Sequence, residues 1–107
     1  MTTLLYVTTT LERKDDAERL GNALLEKRLI ACAQISSPIT SIYRWRGKTT
    51  TATEFVLGVK TISQCFPQIE KFLLQEHPYE VPEIIAQEIP LASKAYKDWV
   101  ILEVEHE

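Results

Sequence analysis

The 107-residue sequence predicts an α+β domain with the element order βαββαβ, followed by one more helix. Three observations predict this order. Short β-prone apolar runs alternate with stretches of helix formers whose apolar residues recur every three or four positions. A Gly-Lys pair separates two long alternating runs, as in a hairpin. No repeat or linker interrupts the pattern, so residues 1–107 are expected to fold as one domain.

The first strand and helix are predicted from the N-terminal third. Residues 4–7 are apolar and run into three threonines, which indicates a strand. Residues 13–29 are rich in helix formers, and Thr9 with Glu12 has the spacing of a capping box. The residues that share the apolar face of this helix are Ala17, Leu20 and Leu24.

A long hairpin follows. Residues 30–35 predict a strand that Pro38 interrupts, and residues 39–46 continue it. The pair at 47–48 supplies the turn, and residues 50–61 form the returning strand. The sequence therefore predicts an extended hairpin between the second and third strands, with a tyrosine and a tryptophan on one arm.

The last third predicts a helix, a strand and a helix. Ser63 or Thr61 is expected to cap the second helix, which must end before Pro78. Residues 83–89 form the last strand, and Ser93 is a suitable cap for the terminal helix. The apolar face of the second helix consists of Phe66, Ile69 and Leu73.

This order is that of a ferredoxin-like sandwich, in which two helices cover one face of an antiparallel sheet. The alternating apolar positions of the hairpin also populate the other sheet face. The terminal helix covers part of that face at most. Association with other copies of the chain is the simplest way to bury the remainder.

Composition excludes several classes of protein. The net charge is −3 without a Lys/Arg block, which argues against nucleic-acid binding. No apolar run has the length of a membrane span, and the N-terminus lacks the features of a signal peptide, so a cytoplasmic protein is expected. Cys32 and Cys65 are far apart and form no CxxC motif. Without a glycine-rich phosphate loop or a nucleophile–histidine constellation, we expect no enzyme.

Residues 77–84, with the sequence HPYEVPEI, concentrate an imidazole, a phenol and carboxylates. Each X-Pro step favours extended backbone at the preceding residue, here His77 and Val81. His77 is one of two histidines, the other being His106, and it either caps the preceding helix or binds a metal ion. The carboxylates available to such a metal site belong to Glu76, Glu80 and Glu83.

Aromatic and cationic side chains offer further candidates. Tyr43 and Trp45 line a ligand cleft or pack in a subunit interface. Tyr79 and Trp99 stack on a small ligand or join a core cluster. A cationic strip on the hairpin either holds an anion or is a solvated surface that pairs with glutamates. The residues of this strip are Arg44, Arg46 and Lys48.

Five strings in this order resemble the CutA divalent-cation tolerance proteins, at residues 31–33 (ACA), 41–48 (SIYRWRGK), 60–61 (KT), 77–84 (HPYEVPEI) and 96–99 (YKDW). The resemblance covers nearly the whole chain. It implies a ferredoxin-like subunit in a tight homotrimer, similar in architecture to the PII signalling proteins. It also implies a cytoplasmic role in tolerance of copper and other divalent metal ions.

The resemblance transfers only part of the family's copper site. In the bacterial pattern the ligands are a cysteine late in the first strand and a His-His pair before Pro-Tyr. Thr8 stands at about the cysteine position, and Glu76 replaces the first histidine. His77 with Glu76 or Glu83 would make an oxygen-rich site that binds Cu(II) or another divalent cation weakly.

A second function follows from the likeness to the PII proteins. In that case the protein is a signalling module whose clefts between subunits bind a protein partner or a small anionic effector, the latter near Arg44, Lys48 and Glu83. The two functions differ in the charge of the expected ligand, and the resemblance alone leaves both open.

Overall fold

The structure is a computed structural model that describes residues 2–104, so His106 lies outside the described residues. A 3-10 turn, Ser63–Cys65, precedes the second helix. The elements are β1 (Leu4–Leu11), α1 (Lys14–Glu26), β2 (Cys32–Ile35), β3 (Ile39–Trp45), β4 (Lys48–Ile62), α2 (Phe66–Glu76), β5 (Ile85–Ile89) and α3 (Lys94–Glu103). The predicted βαββαβ order with a final helix is confirmed, and the interrupted second strand is the pair β2 and β3.

The sheet is organised around β4, which is 15 residues long. Its first half pairs with β3, and its second half lies between β2 and β1. β5 pairs with the outer side of β1, so the strand order is β2-β4-β1-β5. Every pairing is antiparallel. The hairpin β3–β4 therefore extends beyond the four-stranded part of the sheet.

The two faces of the sheet are covered differently. Ala33 faces α1, because a Cβ added at Gly21 would lie 3.1 Å from the Cβ of Ala33. Successive strand residues point to opposite faces, so Cys32 points away from α1. The Sγ of Cys32 lies 3.6 Å from the hydroxyl of Tyr96 in α3. Thus α1 lies on one face, and α3 covers part of the other, where Val100 is fully buried.

The start of α1 differs from the prediction. β1 continues through Thr9 to Leu11, because it pairs with β4 as far as the Leu11–Phe55 register. The capping box of Thr9 and Glu12 is therefore wrong. α1 begins at Lys14, and its N-cap residue, Arg13, gives it no side-chain cap within the described residues.

The end of α1 is also earlier than predicted. The Leu29 N–H donates to the carbonyl of Leu24 at 3.1 Å, and the Arg28 N–H donates to the carbonyl of Leu25 at 2.9 Å. This pair of bonds is a Schellman motif, which closes the helix after Glu26. Arg28 occupies the left-handed position of the motif with φ of 58°.

The remaining boundaries follow the prediction with small shifts. The 3-10 turn replaces the predicted cap at Ser63 or Thr61, and α2 ends before Pro78 as expected. Ser93 caps α3, since its hydroxyl accepts a 3.2 Å hydrogen bond from the Tyr96 N–H. No helix in residues 2–104 combines the length and apolar character needed to cross a membrane.

Candidate functional site

A cleft of about 600 Å³ lies between the hairpin β3–β4, the end of β1 and the loop that follows α2. We call it the hairpin cleft. Three aromatic residues and four carboxylates contribute to its lining. The aromatic residues are Tyr43, Trp45 and Tyr79, and the carboxylates are Glu12, Glu54, Glu80 and Glu83.

The hairpin places two of these aromatic side chains at its outer end. In the β3–β4 register, Tyr43 pairs with Thr50 and Trp45 with Lys48. Residues two apart share one strand face, so Tyr43 and Trp45 point to the same side. Their exposed fractions, 42% and 40%, show that the chain itself leaves much of both rings uncovered.

Glu54 is the buried carboxylate of the cleft, with only 6% of its surface exposed. The Tyr79 hydroxyl donates to its Oε2 at 2.6 Å. Burial pushes the pKa of Glu54 upward. Hydrogen bonds from Ser41, Tyr79 and Thr10 together outweigh burial, so the pKa lies below the ordinary glutamate value and the group is ionised at neutral pH.

The pKa of Tyr79 is shifted upward, opposite to that of Glu54. Burial and the hydrogen bond to Glu54 raise the pKa of its phenol far above the ordinary value. The phenol therefore stays protonated and acts as a fixed donor to the carboxylate. This bond ties the loop after α2 to β4.

His77 is 8% exposed, and both its ring nitrogens have backbone partners. Nε2 lies 2.9 Å from the carbonyl oxygen of Thr10, and Nδ1 accepts the Tyr79 N–H at 3.1 Å. A carbonyl can only accept, so the proton is on Nε2. Burial lowers the pKa of His77, which keeps the ring neutral. Its role as a metal ligand stays a prediction, and metal binding would break one of these two hydrogen bonds.

The other predicted site residues are divided by the fold. Glu83 lines the hairpin cleft, whereas Glu76 points toward α1, where its Oε1 lies 3.5 Å from Arg19. Arg44 and Lys48 are exposed on the hairpin outside the lining. Trp99 packs against Tyr96 in α3, with 5.6 Å between ring centroids.

The lining of the cleft is acidic. Among the described residues that line it, acidic side chains occur and basic ones do not. Carboxylate oxygens suit hard and borderline divalent cations, whereas an anion would be repelled. Residues 2–104 contain no group of three or more His, Cys, Asp or Glu residues arranged to hold a metal ion.

Sequence reasoning missed Glu54 and Thr10. Glu54 is the only acidic residue between Glu26 and Glu70, and it interrupts a β-prone run. Glutamate is depleted in strands, so an isolated one there was an available signal. The carbonyl and hydroxyl of Thr10 offered no such signal, since their roles depend on the loop after α2 folding back onto β1.

Comparison with known proteins places these features in a family. The family model described as CutA1 divalent ion tolerance protein matches residues 5–103. A probable divalent-cation tolerance protein cutA homolog of Encephalitozoon cuniculi is 44% identical over 94 residues, which cover 88% of this chain and 82% of that protein. The divalent-cation tolerance protein CutA of Thermus thermophilus is 40% identical over 91 residues, covering 85% and 88% of the two chains.

Solved structures of CutA1 proteins have the same fold as this chain. The divalent cation tolerance protein Cut A1 of Thermus thermophilus superposes with a TM-score of 0.92 at 36% identity, covering 95% of this chain and 99% of that one. CutA1 of Oryza sativa gives 0.94 at 28% identity, covering 98% and 96%. The fold, the hairpin and the sequence thus lead to one assignment: the chain belongs to the CutA1 divalent ion tolerance family.

Proposed function

We propose that this protein acts in divalent-cation tolerance by binding divalent cations weakly in the hairpin cleft. The ligand atoms are carboxylate oxygens of one or two of Glu12, Glu80 and Glu83 at a time, with water completing the coordination shell, since no three such groups are arranged to hold one ion within residues 2–104. The observation that carries the proposal is the acidic lining of the cleft, to which no basic side chain of the described residues contributes, although Arg46 pairs with Glu80 at the outer end. Ionised Glu54 adds negative charge behind these ligands.

The types of ligand atom in the cleft favour some metal ions over others. A thiolate would favour Cu(I), but Thr8 stands at the position of the family cysteine. Oxygen ligands favour Cu(II), Zn(II) or another divalent cation. Glu83 belongs to the predicted ligand set and lies in the cleft. The predicted set also includes His77 and Glu76, which would act only if the loop after α2 rearranged.

The acidic cleft supports this function over an anionic effector. The candidate anion-binding residues, Arg44 and Lys48, are outside the lining, while Glu83 is within it. An anion in this cleft would meet several negative charges within one cavity. An anionic effector would therefore need a surface completed by another subunit.

The same proposal includes a homotrimer in the cytoplasm. Leu91 and Leu102 are exposed at 88% and 71%, and they lie between β5 and α3 and on α3, outside the lining of the cleft. Apolar surface of this kind marks association sites. β2 and β5 stand at the two ends of the strand order, where an edge can accept a neighbour. Light scattering should give three times the 12.3 kDa chain mass.

Calorimetric titration of the metal-free protein with Zn(II) and Cu(II) tests the site. We expect saturable binding with Kd on the order of 0.1 mM, weakened at least about threefold in Glu83→Gln and in Glu80→Gln. The matched control is Glu70→Gln, which removes one exposed carboxylate from α2. The absence of saturable binding, or equal weakening in the control, would refute the cleft as the metal site.

His77→Gln forms a separate arm of this titration. A glutamine amide can still donate to the Thr10 carbonyl, so the variant removes the imidazole with little disturbance of the strand. Unchanged affinity is expected if the carboxylates of the cleft are the ligands. Loss of binding would instead assign the metal to His77 and the predicted set.

A further inference from the structure

The outer end of the hairpin cleft already holds a cationic group of the protein itself. Nη2 of Arg46 lies 2.9 Å from both carboxylate oxygens of Glu80. Cζ of the same guanidinium lies 5.3 Å from the ring centroid of Trp45. Both Trp45 and Glu80 line the cleft. One planar cation thus contacts an aromatic ring and a carboxylate of the cleft at once.

The hairpin turn holds Arg46 in this place. Arg46 and Gly47 have φ of 51° and 80°, so they form the two central residues of the turn between Trp45 and Lys48. The guanidinium and the Glu80 carboxylate are both largely exposed. Water competes with an exposed ion pair, so a cation from solution can displace this arginine at little cost.

The rest of the cleft is also lined by aromatic rings and carboxylates. Tyr43 and Tyr79 add aromatic surface, and Glu12, Glu54 and Glu83 add carboxylates. Guanidinium and alkylammonium ions bind aromatic faces while pairing with carboxylates. A small hydrated metal ion needs only the carboxylates. The volume of about 600 Å³ lies within the usual range for a small-molecule site.

We propose that the hairpin cleft binds a small organic cation, a guanidinium or alkylammonium compound, and that Arg46 is an internal competitor for it. The ring of Trp45 and the carboxylate of Glu80 form the outer half of the site. Tyr79 and the inner carboxylates form the deeper half. This ligand class goes beyond divalent metal ions and does not depend on their binding, although both would use Glu80.

Tryptophan fluorescence can report on the site directly. The sequence contains two tryptophans, and Trp99 lies in α3 outside the cleft. In a Trp99→Phe background, Trp45 is therefore the only indole. The probes are methylguanidinium chloride and tetramethylammonium chloride, titrated in the presence of a metal chelator. Potassium chloride at the same ionic strength is the control.

We expect a saturable change in Trp45 emission with the organic cations and none with potassium. Arg46→Ala should bind them about threefold to tenfold more tightly, because the competitor is gone. Glu80→Gln should weaken binding in the same assay. Trp45→Leu, followed by calorimetry, should abolish it. Circular dichroism and light scattering confirm that each variant keeps its fold and assembly.

No saturable response in either the parent or Arg46→Ala would overturn the organic-cation site. So would unchanged affinity in Trp45→Leu and Glu80→Gln. Affinity in Arg46→Ala no higher than in the parent would refute the competitor role of Arg46. Zn(II) binding measured without chelator tests the metal proposal separately. If the protein binds organic cations but not Zn(II), the metal proposal has failed. If it binds Zn(II) but not organic cations, the organic-cation proposal has failed.

Discussion

The hydroxyl of Tyr79 donates a 2.6 Å hydrogen bond to the carboxylate of Glu54. These residues are 25 positions apart, and the bond joins the loop after α2 to the middle of the long strand β4. Glu54 is almost fully buried, so its charge depends on the donors around it. The shape of the hairpin cleft and the ionisation of its innermost carboxylate therefore rest on the same contact.

Tyr79→Phe should lower the free energy of unfolding by about 1.5–3 kcal/mol, since it removes a hydrogen bond to a buried charge. It should also raise the pKa of Glu54, because one of the donors that lower this pKa is lost while burial remains. Chemical denaturation at neutral pH measures the first effect. Tyr43→Phe is the control, since Tyr43 has no hydrogen bond in the described residues. Equal losses in both variants would contradict the special role of the Tyr79–Glu54 bond.

His77 makes stability depend on pH. Its pKa in the folded protein is lowered by burial from the ordinary value of 6.5, so the unfolded chain binds a proton first as pH falls. The stability that neutral His77 provides is complete above about pH 6.5 and is lost as pH falls from there toward the folded pKa. The charges of Asp16, Arg19 and Glu54 also shift the pKa of His77, but each by less than burial does.

The pH effect is tested by denaturation of the parent and His77→Gln between pH 8 and 5. The decline in the unfolding free energy below pH 6.5 should be smaller in the variant. His106 is present in both proteins and cancels in the difference. Glu54 contributes in a lower range, since its pKa lies below its ordinary value of 4.5. Parallel curves for the two proteins would show that His77 does not control this range.

Thr9 and Thr61 provide a matched pair of buried hydroxyls. The Thr9 Oγ1 has no hydrogen-bond partner in the described residues, whereas the Thr61 hydroxyl donates to the Leu29 carbonyl at 2.6 Å. Thr9→Val should be neutral or stabilising by up to about 1 kcal/mol, because it removes an unsatisfied polar group. Thr61→Val should destabilise by about 1–2 kcal/mol. Thermal unfolding compares them, and a reversed order would refute this assignment.

Arg28 holds a left-handed backbone position with φ of 58° at the end of α1. A side chain there is disfavoured, and glycine is the usual residue at this position of a Schellman motif. Arg28→Gly should stabilise the protein by about 0.5–1 kcal/mol despite the greater flexibility of glycine in the unfolded chain. Arg28→Ala is the control and should give no gain. Equal effects of the two substitutions would show that the backbone is not the cause.

The order of the elements could be predicted because each leaves a periodic pattern in the sequence. Their ends could not always be read, since long-range hydrogen bonds decide them. β1 continues through Thr9 because β4 pairs with it, and α1 stops where Arg28 adopts a left-handed backbone. Local spacing at these positions indicated a cap and a longer helix.

The candidate site was predicted in part. Tyr43 and Trp45 were predicted to line a ligand cleft or a subunit interface, and Tyr79 to stack on a ligand or join a core cluster. All three line the hairpin cleft, and their roles stay predictions. The partners of the His77 ring could not be read from the sequence. They come from Thr10, 67 positions earlier in the chain, and from the backbone two residues later. Only the folded loop brings these groups together.

Paramagnetic broadening in NMR spectra tests the central claim most directly. Substoichiometric Mn(II), added to the uniformly labelled metal-free protein, should first broaden the amide signals of Glu12, Glu80 and Glu83. Glu83→Gln should reduce that broadening, while Glu70→Gln should leave it unchanged. Broadening spread evenly over the surface, or strongest around Glu76 and Arg19, would contradict a divalent-cation site in the hairpin cleft.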